Sequence, residues 1–208
     1  MTDRLPTPSR EEIALLDVFE RLALQQIELV NNAAQAERAL AALAGCAALG
    51  FDTESKPTFQ RNEVSTGPHI VQLATAGRAW VFQLLDAGCR DAVGKLLSSA
   101  SITKVGFGLA DDRKRIISKL GVEPAAVLDL NNVFWRNGYR RDMGVKGAVA
   151  VVFKQRFIKS RKATTSNWAN PRLSEAQLVY AANDAYAALQ VYAALGDGVT
   201  GTAGVAQR

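Results

Sequence analysis

Leu49-Gly50-Phe51-Asp52-Thr53-Glu54 is an apolar run with two carboxylates set into it two residues apart. Read as a β-strand, whose side chains alternate between faces, it puts Leu49, Phe51 and Thr53 on one side. Asp52 and Glu54 share the other. Neighbouring carboxylates in such a run repel each other, and burying them unpaired is costly. Two readings follow. Either this is an exposed polar strand end, or it is a site for a divalent cation, since Mg2+ and Mn2+ prefer hard oxygen ligands.

Working outward toward the N-terminus, Gln26 to Val30 alternates like a short strand. Asn32 stands where the N-cap belongs for an alanine-rich helix that ends near Gly45. Further back, Ile13, Leu16, Phe19 and Leu22 fall at helical spacing and predict an amphipathic helix from Ser9 to Leu22. On the C-terminal side, strands are predicted at residues 70–74 and 79–84. The turn between them, Thr75-Ala76-Gly77-Arg78, is short enough only for an antiparallel hairpin. Next come a helix over 90–98, a strand over 102–107, a helix over 109–120 stopped by Gly121, and a short strand over 126–128. Helices separated by loops fill the remainder. The longest runs from Glu175 to about Leu195, with Ser174 and Gln177 as its capping box. Three antiparallel strands followed by alternating helix and strand predict an α/β domain with a mixed β-sheet flanked by helices. That is the order of the ribonuclease-H-like architecture, which other mixed α/β folds share.

Composition narrows the functional class. The 208 residues suit one domain, and 48% hydrophobic with 22% charged residues is ordinary for a globular protein. No apolar run approaches the ~20 residues of a membrane span. Met1 to Arg10 is polar and contains proline, without the apolar core of a signal peptide. The expectation is therefore a cytoplasmic protein with no membrane association. Cys46 and Cys89 have no metal-ligand spacing, are too few for a disulfide framework, and read as reduced core residues. The net charge of +5 hints at a polyanionic partner, and its distribution says more. Ten Lys and Arg lie between Arg136 and Arg172 (Arg136, Arg140, Arg141, Lys146, Lys154, Arg156, Lys159, Arg161, Lys162, Arg172), against the single acid Asp142. That stretch is either a solvated charged surface or a phosphate-binding one. The tail, 196–208, is Gly-rich, small and polar, and is expected to be flexible.

Two further segments carry candidate chemistry. In Lys104-Val105-Gly106-Phe107-Gly108-Leu109-Ala110-Asp111-Asp112-Arg113 a strand ends, glycines turn the chain and a helix begins. Asp111 and Asp112 sit in its first turn, where the helix dipole favours anions. A dinucleotide site is disfavoured because the third glycine is missing. In Tyr180-Ala181-Ala182-Asn183-Asp184 the spacing of four places Tyr180 and Asp184 on one helical face. The neighbouring alanines suggest close packing that would hold that face firmly.

In this order, Phe-Asp52-Thr-Glu54, then Asp112 after Val-Gly-Phe-Gly, then Tyr180-x-x-x-Asp184, the motifs resemble the DEDD 3′→5′ exonuclease superfamily in its tyrosine-bearing (DEDDy) subclass. The segments Val71-Gln72-Leu73-Ala74, Thr165-Ser166-Asn167-Trp168 and Leu173-Ser174-Glu175-Ala176-Gln177 are similar to ribonuclease D and, more closely, to Werner-type exonuclease domains. The resemblance covers about residues 25 to 195. It implies hydrolysis of DNA or RNA from the 3′ end, with release of nucleoside 5′-monophosphates. It also implies two divalent ions, Mg2+ or Mn2+, held by Asp52, Glu54, Asp112 and Asp184, with Asp52 bridging both. Asp112 rather than Asp111 falls at the ligand position when the glycines are aligned. Tyr180 would orient the attacking water. Val179 stands where the other subclass has its histidine, and the single histidine, His69, reads as structural.

Candidate substrate contacts are Thr53 and Lys56 at the first motif, Phe107 beside the second, and Lys159, Arg161 and Lys162 in the basic stretch. Phe107 reads first as core and second as a stacking platform for the terminal base. The expected organisation is an N-terminal helical extension over 1–24, an exonuclease domain over 25–195 and the tail. No helicase motif follows, so a stand-alone nuclease core with no obligate protein partner is expected. The rival reading is a catalytically weak nucleic-acid-binding module of the same fold; against it, all four carboxylates and the tyrosine are present.

Overall fold

The 49–54 segment makes up nearly all of a strand at the centre of a six-stranded sheet in the computed structural model, which describes residues 4–58, 63 and 65–196. The elements run α1 (Arg10–Ala14), β1 (Asp17–Val18), β2 (Ile27–Val30), α2 (Ala33–Leu43), β3 (Ala48–Glu54), β4 (Ile70–Ala74), β5 (Ala79–Gln83) and α3 (Ala87–Ser98). They continue with β6 (Thr103–Gly106), α4 (Ala110–Leu120), β7 (Val127–Asp129), α5 (Leu130–Arg136), α6 (Gly144–Phe153), β8 (Gln155–Arg156), α7 (Arg161–Thr164) and α8 (Glu175–Leu195). The sheet order is β2-β5-β4-β3-β6-β7. β4 runs antiparallel to both β3 and β5, as the hairpin turn requires, while β2 adds in parallel to β5, β6 to β3 and β7 to β6. This is the ribonuclease-H-like mixed α/β fold.

The pleat sorts the sheet into two unlike faces. Leu49, Phe51, Val71, Leu73, Trp80 and Phe82 point to one side and form a core with α2 and α3. Ile70, Ala74, Ala79 and Val81 point to the other and meet Ala181, Ala182 and Ala185 of α8. Small side chains on both partners let this helix lie close. At Gly50 the approach is closest: an added Cβ would overlap the Ala185 carbonyl oxygen.

Local signals hold where the chain packs locally. Asn32 caps α2 by accepting from the Gln35 N–H at 3.0 Å, and Gly121 ends α4 at φ +67°. The capping box of Ser174 and Gln177 opens α8. The helix expected at 90–98 starts earlier, because Asp86 caps it through the Cys89 N–H.

The helix expected over Ser9–Leu22 is a correction. It stops after Ala14, and Asp17–Val18 instead pairs in parallel with Gln155–Arg156. The Phe19 N–H donates to the Arg156 carbonyl at 3.0 Å. Phe19 packs against Phe153 and Phe157, whereas Leu22 joins the cluster under α8. The helical spacing of apolar residues came from two separate burial sites, and strand pairing with a distant segment overrode it. Cys89 is buried and Cys46 partly so, both as free thiols. Among the described residues no helix is long and apolar enough to cross a membrane. From residue 197 on, the expected flexible tail lies outside the described residues.

Candidate active site

Gly50 decides how near α8 comes to β3, and so where two motifs meet. Asp52 and Glu54 on β3 face Asp184 on α8, and one ligand oxygen from each lies within 4.8 Å of the others. Asn183 holds the helix beside them. Its Oδ1 accepts from the Leu22 N–H at 2.8 Å, and its Nδ2 donates to the carbonyls of Leu22 (3.2 Å) and Val179 (2.8 Å).

Asp112 comes in over the end of β3. Gly106 carries no side chain where one would strike the Phe51 carbonyl, and Gly108 turns at φ +71°. The Asp129 carboxylate fixes this turn, accepting from the N–H groups of Gly108 and Leu109, each at 3.0 Å. The same carboxylate caps α5 through the Asn131 N–H. Asp112 then accepts a hydrogen bond from the Thr53 hydroxyl. Asp111, 70% exposed, points away and pairs with Lys114 at 3.1 Å. Of the two first-turn acids, Asp112 is the one turned toward β3, bonded to Thr53 and outside the compact group of three. Thr53 is 8% exposed and its hydroxyl is engaged by Asp112.

The acids crowd one another in a poorly hydrated place. Burial, then Asp184 and Asp112, lifts the Asp52 carboxyl well above the usual carboxylate range. Burial and Asp52 push Glu54 up to about 9. Burial also raises Asp112, against the Thr53 hydrogen bond. It raises Asp184 too, although Lys159 pulls the other way. Lys159 is the one cation inside the group among the described residues: its Nζ lies 2.6 Å from Asp184 Oδ2 and 5.5 Å from the Tyr180 ring centroid. Burial lowers the proton affinity of this ammonium, but Asp184, Tyr180 and Asp52 outweigh burial and hold it above the ordinary lysine value.

Tyr180 packs its ring on Trp168, centroids 5.9 Å apart, and its hydroxyl accepts from Thr164 Oγ1 at 3.1 Å. Burial and Asp184 push that hydroxyl up to about 12, so it stays protonated at neutral pH. Such a group orients a water; it does not deprotonate one.

A cavity of about 180 Å³ opens beside the acids, lined by Phe51, Asp52, Phe107, Asn131, Gly144, Val145, Lys159, Asp184 and Ala188. Phe107 is half-buried and stacked on Phe134, centroids 6.4 Å apart, so it is both a core residue and a wall of the cavity. Lys56 and Lys162 are exposed, and the Arg161 side chain lies outside the described residues. His69 accepts from the Lys56 N–H at Nδ1, 3.1 Å away, and Nε2 lies 3.2 Å from the Thr66 hydroxyl. It links Lys56 to Thr66.

The donor set suits divalent metal. Three converging carboxylates, all with raised proton affinity and one lysine to balance them, hold more negative charge than the protein itself neutralises. Oxygen-only ligands match Mg2+ or Mn2+. Sequence reasoning missed several residues that build this geometry. Gly50 gave one signal, a glycine inside a strand pattern, which marks close backbone approach. Asn183 gave another, a polar residue among alanines. Asp129 and the inward turn of Lys159 gave none.

Comparison with known proteins agrees with the geometry. A family model described as 3'-5' exonuclease matches residues 27–199. A 3'-5' exonuclease of Arabidopsis thaliana is 26% identical over 155 residues, 74% of this chain and 54% of that protein. The bifunctional 3'-5' exonuclease/ATP-dependent helicase WRN of Mus musculus is 27% identical over 151 residues, 72% of this chain and 11% of that one. The chain thus spans about half of one relative and a small part of the other. Among solved structures, the Nibbler EXO domain of Aedes aegypti superposes with a TM-score of 0.70 at 22% identity, covering 87% of this chain and 92% of that one.

Proposed function

The chain belongs to the 3′-5′ exonuclease family, and we propose from that premise that it hydrolyses DNA or RNA stepwise from the 3′ end by two-metal catalysis, releasing nucleoside 5′-monophosphates. The observation that carries this is the convergence of Asp52, Glu54 and Asp184 within 4.8 Å, with proton affinities raised by burial and mutual repulsion. The catalytic unit in this reading is residues 25–195, with 1–24 as an extension, and the protein acts in the cytoplasm.

Asp52, Glu54, Asp112 and Asp184 would hold two Mg2+ or Mn2+ ions. Such ions supply Lewis-acid chemistry, neutralising the phosphate and making water acidic enough to attack it. Tyr180, braced by Trp168 and Thr164, points a neutral hydroxyl toward Asp184 and aligns the attacking water. Lys159 counters the Asp184 charge in the resting protein and is placed to meet a substrate phosphate next to it. Phe107, a wall of the cavity, offers a stacking surface to the terminal base, because an aromatic face accepts any base. Lys56, Arg161 and Lys162 contribute sequence-independent phosphate contacts.

The test is nucleotide release from 3′-labelled DNA and RNA oligonucleotides of matched sequence, with Mg2+ or Mn2+ and with a chelator. Release that needs the metal and proceeds from the 3′ end is expected. No metal-dependent release from either polymer would overturn the reading.

A further inference from the structure

A second and larger cavity, of about 870 Å³, adjoins the catalytic one. The two share Gly144, Val145 and Lys159 as lining residues, so they meet at the lysine that pairs with Asp184. One part of its lining comes from Arg140, Lys146, Arg156 and Lys159. The other comes from Thr7, Ser9, Arg10, Ile13 and Ala14. These last residues lie ahead of the segment that the family model matches, which begins at residue 27.

The N-terminal arm is fixed in this position at several points. Arg4 donates to the Trp135 carbonyl at 3.0 Å, and the Leu5 N–H donates to the Gly138 carbonyl at 2.9 Å. Arg156 reaches the Ala14 carbonyl at 2.9 Å, and β1 pairs with β8. The cavity lining is cationic: Arg10, Arg140, Lys146, Arg156 and Lys159 face a single acid, Asp142, whose pairing with Arg140 is loose at 3.9 Å. A groove of that charge, next to a carboxylate centre, suits a chain of phosphates whose terminus lies among the carboxylates.

We infer that the N-terminal arm, residues 4–19, is a wall of a polynucleotide groove, and that Arg10 contacts substrate phosphates upstream of the scissile bond. The inference rests on the nuclease reading and adds to it a substrate subsite built from outside the family-matched segment. Phosphates bound there raise affinity for a polymer and leave chemistry at the terminal nucleotide unchanged.

Arg10→Glu is the informative variant. Arg10 is exposed, and an acid in the first turn of α1 suits the helix dipole, so the fold survives the change. Two substrates separate the sites. The p-nitrophenyl ester of thymidine 5′-monophosphate fills only the catalytic cavity, whereas a fluorescein-labelled oligothymidylate also fills the groove. Arg10→Glu should weaken oligothymidylate binding, measured by anisotropy in chelator, by about tenfold at low salt. It should lower the slope of log K against log salt by about one. Hydrolysis of the small ester should match the wild type. Arg140→Glu should weaken binding in the same way. Wild-type affinity in Arg10→Glu would overturn the inference, and so would an equal loss on the small ester. If the wild type cleaves neither substrate but binds the oligonucleotide in an Arg10-dependent manner, the groove stands and the nuclease reading falls.

Discussion

The two faces of the central sheet are built to opposite rules. The face under α2 and α3 carries Leu49, Phe51, Leu73, Trp80 and Phe82, large side chains that exclude water. The face under α8 carries Gly50, Asp52 and Glu54 beside Ile70, Ala74 and Val81, and the helix answers with alanines. Large residues hold layers apart and stabilise by buried area. Small ones let backbones close, which here brings Asp184 to Asp52. One strand thus serves stability with its odd-numbered residues, while its even-numbered Asp52 and Glu54 join the carboxylate group. Like-charged, partly buried acids detract from stability, and the apolar face offsets that cost.

The sharpest break of this comparison is Asp52→Asn. Turnover should be abolished, because in the proposed mechanism Asp52 is a metal ligand. The metal-free melting temperature should hold or rise, because a buried charge beside Asp184 is gone. Near-wild-type rates in Mg2+ would remove Asp52 from the mechanism. Tyr180→Phe comes next. The ring still packs on Trp168, and only the hydroxyl is lost, so kcat should fall by about 10²–10⁴-fold with KM little changed. Single-turnover rates decide it: a loss under about threefold would leave Tyr180 a packing residue only.

A paired substitution then compares adjacent positions. Leu49→Ala should destabilise by about 2–5 kcal/mol, read by urea titration, with metal affinity retained. Gly50→Ala should cost about 1–3 kcal/mol or more, because the new Cβ meets the Ala185 carbonyl, and should weaken Mn2+ binding as α8 is pushed off. Equal metal affinity in the two variants would show that close helix approach does not build the site.

A further effect is in pH dependence without metal. The folded-state pKa of Glu54, about 9, exceeds its ordinary 4.5. The stability that this carboxyl contributes is complete below about 4.5 and is lost as pH rises toward 9. Melting temperatures in chelator should therefore fall between these limits, and saturating Mn2+ should remove the fall. A flat profile in chelator would mean that the acids are better solvated than their burial indicates.

Strand period, caps and motif order are local features, and they made most of the fold and the converging Asp52, Glu54 and Asp184 legible. The alternation over Leu49–Glu54 assigned both faces of β3, and Ser174 with Gln177 placed the start of α8. The N-terminal arm misled the same reasoning. Phe19 and Leu22 looked like one helical stripe, yet each is buried against different residues far along the chain.

By itself the sequence determined which side chains are chemically able to form the centre, because alternation and helical spacing depend on neighbours a few residues away. Tertiary structure alone decided how they meet. Arg156 and Ala14 are 142 residues apart in the chain, and Asn183 and Leu22 are 161 apart. No local period encodes such contacts. Lys159 illustrates the limit: in the sequence it is one of ten cations in a basic stretch, and folding turns it inward to Asp184. The reason is energetic. A buried carboxylate cluster needs a counter-charge, and only the folded chain brings one within 2.6 Å.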